Sequence, residues 1–104
     1  KNSNYFNYLK NHMIINEFIF AEFSYQLIKG DTPNFKIYLD EVEPAIVRVE
    51  TDLIIEAMKF KYRYRKNDLS MVDCISYVMA LNKGVKFLTG DKEFEHFENV
   101  EFVK

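Results

Sequence analysis

Three acidic residues, Glu22, Asp73 and Asp91, carry the sequence's strongest chemical signal. Carboxylate oxygens are hard donors and suit Mg²⁺ or Mn²⁺, with water filling the remaining positions. A cluster of carboxylates repels itself unless a cation lies among them. A cation held in this way activates water and stabilises phosphate charge during phosphodiester hydrolysis. Competing chemistries lack their residues. His12 and His96 have neither each other's spacing nor a Cys partner, which argues against zinc. There is no P-loop, no GxGxxG and no Ser-His-Asp pattern.

Each acid also has an ordinary explanation. On a helical wheel for residues 15–29, Glu22 falls in a narrow polar stripe with Gln26 and Lys29, flanked by Ile15, Phe18 and Ile19. A carboxylate amid that much apolar surface calls for a partner or a metal, and an ion pair with Lys29 would serve. Ser70-x-x-Asp73 has the spacing of a capping box, which places Asp73 near the positive start of a helix. Asp91 follows Thr89-Gly90 and is well placed to cap a helix beginning at Lys92.

The elements that must position these acids alternate between short strands and helices. Residues 5–11 read as the end of a helix, and Ile14-Ile15 as a very short strand. A helix over about 16–29 is capped by Asn16 and stopped by Gly30. Another, over roughly 33–43, has Pro33 in its first turn and Pro44 just past its end. Ile46-Val47-Arg48-Val49 reads as a strand, and Thr51 caps a helix reaching about Arg65. Ser70 caps the next helix, which is apolar almost all round and therefore buried on several sides, and Gly84 ends it. On that helix Asp73 shares its face with the small side chains of Ser76 and Ala80. A strand at Val85-Lys86-Phe87-Leu88, a turn at Thr89-Gly90-Asp91, a short helix over about 92–97 and a strand from Val100 to Val103 complete the chain. This pattern predicts a single α/β domain over residues 1–104, a sandwich with a mainly parallel sheet. Sites in such folds lie at the carboxyl ends of the strands, where Asp91 stands.

Composition agrees with one packed domain. The 104 residues are 48% hydrophobic and 16% aromatic, with ten Phe and seven Tyr, enough for a real core and too much for disorder. Fourteen Lys and Arg against sixteen Asp and Glu give a formal charge of −2, so any nucleic-acid contact must come from a local patch. The single Cys74 excludes an intrachain disulfide and fits a reducing, cytoplasmic setting. Its apolar neighbours mark it as a buried small hydrophobe. No apolar run approaches the roughly 20 residues that a membrane helix needs.

Several segments together resemble the PIN-domain family. Asn16-Glu17-Phe18-Ile19-Phe20-Ala21-Glu22-Phe23 is similar to the helix that presents a metal-binding Glu there. Leu69-Ser70-Met71-Val72-Asp73-Cys74, followed by Ala80, resembles the family's Ser-x-x-Asp helix start. Phe87-Leu88-Thr89-Gly90-Asp91-Lys92-Glu93-Phe94 resembles its strand–turn signature, and Val100-Glu101-Phe102-Val103 its closing strand. Glu17 is a rival to Glu22, but its place on the wheel suits solvent better. The resemblance implies a three-layer α/β sandwich and a Mg²⁺- or Mn²⁺-dependent ribonuclease with Glu22, Asp73 and Asp91 as ligands. It further implies that Ser70 and Thr89 support those ligands, or that Thr89 touches substrate. Many small members are VapC-like toxins that bind an antitoxin protein and dimerise. The family's first strand is central in the sheet and ends in an Asp, and no apolar strand with a terminal Asp precedes residue 12. Either the chain is a fragment or the site is genuinely incomplete. An exposed central edge is costly and prone to aggregation, and the chain does not start with Met, so the fragment is the expectation. An incomplete site leaves open a non-catalytic module that binds RNA or protein.

One further stretch mixes basic and aromatic residues. Over residues 59–66, Lys59, Arg63 and Lys66 share a helical stripe with Asp52 and Glu56, while Phe60 and Tyr64 join Leu53 and Ala57 on the apolar side. The bland reading is a solvated, salt-bridged face. The functional reading is a stripe guiding RNA phosphates toward the acids.

Overall fold

The computed structural model describes residues 15–102, so the expected helical end at 5–11, Ile14, His12 and Val103 lie outside the described residues. The architecture is α/β, and its described elements fall into two compact units, residues 1–48 and 49–104, taken here in turn. Among the described residues, no helix is long and apolar enough to cross a membrane.

In the first unit, α1 spans Glu17–Lys29 and α2 spans Phe35–Val42, followed by a 3₁₀ turn at Glu43–Ala45. Asn16 caps α1 as expected: its Oδ1 accepts the Ile19 amide at 2.9 Å, and the Asn16 side chain is buried. Gly30 closes the helix with its amide on the Gln26 carbonyl at 3.0 Å. The second helix starts later than expected, with Pro33 outside it. Asn34 has a φ of 55°, in the left-handed region that Asn tolerates but a right-handed helix cannot include. Pro44 falls inside the 3₁₀ turn instead of beyond a helix end. The core of this unit is Ile15 and Val42, with Ile19, Phe20, Phe23, Ala45 and Ile46 packed on them.

The expected strand at 46–49 reduces to one parallel bridge between Ile15 and Ile46. The Ile15 amide reaches the Ala45 carbonyl at 3.2 Å, and the Val47 amide reaches the Ile15 carbonyl at 2.7 Å. The reason is local: past Ile15 the chain is already capping and entering α1, so the parallel pairing does not run on past Val47.

In the second unit, α3 spans Thr51–Arg63, α4 spans Met71–Lys83, β1 spans Phe87–Thr89 and β2 spans Val100–Phe102. The two strands pair in parallel, Phe87 with Val100 and Thr89 with Phe102. Thr51 lies inside α3, whose cap position belongs to Glu50 without a side-chain bond. Ser70 caps α4 as expected, accepting the Asp73 amide on Oγ at 3.1 Å. Gly84 ends α4 with a left-handed φ of 68°, the conformation that glycine adopts without strain. That closure draws the Val85 amide onto the Ala80 carbonyl at 3.0 Å, so β1 begins at Phe87 and not at Val85. The expected helix at 92–97 is a 3₁₀ turn, Lys92–Phe94.

The helix α4 is the centre of this unit, with every residue from Cys74 to Ala80 buried. Around Tyr77 stand Phe60 and Tyr64, Phe87 of β1, and Phe94 and Phe97, with neighbouring ring centroids 4.8 to 5.7 Å apart. Tilted and edge-on contacts at such distances add about 0.5–1.5 kcal/mol per pair beyond burial. The Tyr77 hydroxyl donates to the Glu98 carbonyl at 2.8 Å, so the ring is buried without leaving a polar atom unpaired. Burial, with a lesser effect of Glu98 and then Tyr64, pushes the Tyr77 phenol above its ordinary range.

Candidate functional site

Asp73 and Asp91 are brought to the same end of the second unit. The thirteen residues of α4 rise about 20 Å, and the return to Asp91 runs through the strand Phe87–Thr89. The return runs against α4, as the 5.6 Å contact of Phe87 with Tyr77 shows. The first turn of α4 and the exit of β1 therefore meet. A contact spans the same end: Asn67, just before α4, donates to Glu93, just after Asp91, at 3.4 Å.

Local structure holds both carboxylates. Asp73 lies in the first turn of α4, where the helix dipole favours a negative charge, and its backbone is fixed by Ser70. Ser76, expected to leave room beside Asp73, donates its hydroxyl to the Val72 carbonyl at 2.8 Å within the helix. Asp91 is fixed twice. Its amide donates to the buried Thr89 Oγ1 at 3.0 Å, and its Oδ1 accepts the Glu93 amide at 3.0 Å. Thr89 thus aims Asp91, and its hydroxyl is turned to that task. Asp91 Oδ2 takes no part in the cap.

Cys74 reports the electrostatics beside Asp73. Burial pushes its thiol up to about 11; Lys61 opposes the shift and Asp73 adds to it. Lys61 also donates to the Leu69 carbonyl, which secures the end of α3 to the start of α4. At the other end of the pair, Asn82 donates to Glu56 at 3.3 Å. These two ties show α3 running antiparallel to α4, so Lys59, Arg63 and Lys66, all exposed, approach the end that carries Asp73 and Asp91. Glu56, expected to balance that basic stripe, pairs with Asn82 instead.

Glu22 belongs to the first unit and departs from the expectation that led to it. It is exposed on α1, a helix without a fully buried residue, so solvent supplies what the burial argument demanded from a partner. It lines an open hollow of 730 Å³ together with Ile19, Phe23, Gln26, Leu27 and Thr32. Glu17, expected to face solvent more, is half-buried. Among the described residues, no group of three or more His, Cys, Asp or Glu is placed to hold a metal ion.

Two features escaped the sequence reading. The Asn67–Glu93 tie joins residues 26 apart and leaves no local signal. The placing of Arg65 over Tyr62, with the guanidinium carbon 4.2 Å from the ring centre, has as its sequence signal an i, i+3 pair inside the basic stretch.

Comparison with known proteins adds one match. The PIN domain family model matches residues 5–100. No curated protein and no solved structure matches the chain. PIN domains are commonly nucleases, bind RNA and typically use divalent metals. Since the match takes in nearly the whole sequence, and the capped helix start at Ser70–Asp73 and the strand exit at Thr89–Asp91 fall within it, this chain belongs to the PIN-domain family.

Proposed function

We propose that the chain is a Mg²⁺- or Mn²⁺-dependent endoribonuclease that hydrolyses RNA phosphodiesters, and that it serves as the toxin of a toxin–antitoxin pair. The observation that carries the catalytic part is the meeting of Asp73 and Asp91 at one end of α4, beside a basic helix end, in a chain of this family. The donors fit the ion: both are hard carboxylates, and Asp91 retains an oxygen outside its cap. Glu22 joins them on the strength of the sequence resemblance alone. When bound, such an ion supplies a more acidic water and neutralises charge building up on the phosphate.

The chain's own residues supply the rest. Thr89 and the 3₁₀ turn hold the Asp91 carboxylate in one orientation, which spares the site reorganisation during the reaction. The amino end of α4 places Asp73 where the helix dipole favours negative charge. Lys59, Arg63 and Lys66 draw the polyanion toward the acids, so binding weakens steeply with salt. Water attacks phosphorus, one P–O ester bond breaks, and the departing sugar oxygen takes up a proton. The toxin role, an antitoxin partner and a homodimer follow from the resemblance to small members of the family.

The test is cleavage of labelled RNA by the chain with Mg²⁺ or Mn²⁺ and with EDTA. Metal-dependent cutting that is lost in Asp73→Asn and Asp91→Asn supports the assignment. Cutting that survives both substitutions sinks it, and RNA binding without any cutting supports a non-catalytic module instead. Growth arrest on expression, relieved by a co-expressed neighbouring gene product, tests the toxin role; unimpaired growth contradicts it.

A further inference from the structure

We propose that Tyr62 and Arg65 form a stacking platform for the bases of single-stranded RNA, a subsite that rests on the reading of RNA as the substrate. Five of the eight residues at 59–66 are basic and none is acidic, a density that favours a polyanion over a protein partner. Within this stretch Tyr62 is 68% exposed, the highest value among the exposed large hydrophobic side chains of the described residues. Arg65 lies over that ring at 4.2 Å, and its Nη1 donates to the Tyr62 carbonyl at 2.9 Å. The bond tethers the guanidinium over the ring instead of leaving it to swing in solvent.

A planar cation stacked on an exposed ring is the kind of surface on which nucleobases stack, with little regard to sequence. Beside it is a hollow of 340 Å³ lined by Met58, Lys61, Tyr62, Arg65, Asn67 and Asp68. The hollow abuts the ring and offers Asn67 and Asp68 to the polar edge of a base, while Lys59, Arg63 and Lys66 provide charge for the backbone. The platform lies at the carboxyl end of α3, the end tied to the start of α4 through Lys61 and Leu69. It is therefore on the approach to Asp73 and Asp91. In duplex RNA the bases are already stacked on each other, so the platform selects single strands.

Fluorescence anisotropy on the full chain in EDTA separates this from cleavage. The probe is a labelled oligo(A) of about twelve nucleotides, alone or annealed to its complement. Tyr62→Ala should weaken single-strand binding by about tenfold or more, while Tyr62→Phe stays within about twofold because the phenyl face still stacks. Duplex binding should change little in Tyr62→Ala. Lys86→Ala, which removes one exposed cation at the opposite end of α4, should leave both affinities unchanged. Unaltered single-strand binding by Tyr62→Ala, an equal loss on duplex, or no binding by the parent chain overturns the platform. If Tyr62→Ala binds normally while metal-dependent cleavage persists, the platform fails and the nuclease stands. If binding depends on Tyr62 and no cleavage occurs under any metal, the nuclease fails and the platform stands.

Discussion

Replacing Asp91 separates what it does for the fold from what it does for chemistry. Its Oδ1 accepts the Glu93 amide at 3.0 Å and so caps the 3₁₀ turn that places Phe94 in the core. Asn offers the same oxygen on the same stem and caps as well as Asp, whereas Ala removes the acceptor at a cost of about 1 kcal/mol. For a domain of this size, that loss lowers the melting temperature by about 4–8 °C. Asp91→Ala should therefore melt several degrees lower, and Asp91→Asn should melt within about 2 °C of the parent. RNA cleavage should nevertheless be lost in both, because the amide carries no charge to hold a divalent ion. The assay is a thermal melt in EDTA beside a cleavage time course in Mn²⁺. The reasoning is refuted if Asp91→Asn cleaves like the parent, or if it is destabilised as much as Asp91→Ala.

Other substitutions follow from the same geometry. Phe94 is wholly buried among Tyr77, Phe87 and Phe97, so Phe94→Ala should cost about 3–5 kcal/mol in urea unfolding; a loss below about 1 kcal/mol would contradict the aromatic core. Glu22→Gln, at an exposed position, should change stability by less than about 0.5 kcal/mol and still abolish cleavage, whereas intact cleavage would remove Glu22 from the ligand set. Cys74 and Tyr77 both have raised values, from 9.0 to about 11 and upward from 10.0, so the stability they contribute is complete below about pH 9 and lost as pH rises through the folded values. For the fully buried Cys74 that loss amounts to about 2–3 kcal/mol, and urea midpoints in EDTA at rising pH should fall less steeply in Cys74→Ala. An identical fall in the parent and the variant would contradict it.

The parts of the fold that were legible in the sequence are those written in local contacts. Asn16 with Gly30 and Ser70 with Gly84 bracket α1 and α4 because capping is settled within a few residues. The Thr89–Asp91 turn was legible for the same reason. Where the outcome depends on a partner, sequence reading overreached. Val47 has strand propensity, but the chain opposite it turns into α1 after Ile15. Val85 looked like a strand residue, yet its amide is spent on closing α4. Glu22 shows the limit of a helical wheel: apolar neighbours on the wheel do not bury a carboxylate unless something packs over them, and α1 leaves it in solvent. The placing of the α4 start and the β1 exit at one end follows from the order helix, return, strand, while the Asn67–Glu93 contact across that end has no local trace in the sequence.

The central claim is that Asp73 and Asp91 share one divalent ion, and a Mn²⁺ titration followed by electron paramagnetic resonance tests it without any RNA present. The parent chain should take up Mn²⁺ saturably, and Asp73→Asn combined with Asp91→Asn should abolish that uptake while melting near the parent temperature. Equal Mn²⁺ uptake by the parent and the double variant, or no saturable uptake by the parent, would contradict the shared site.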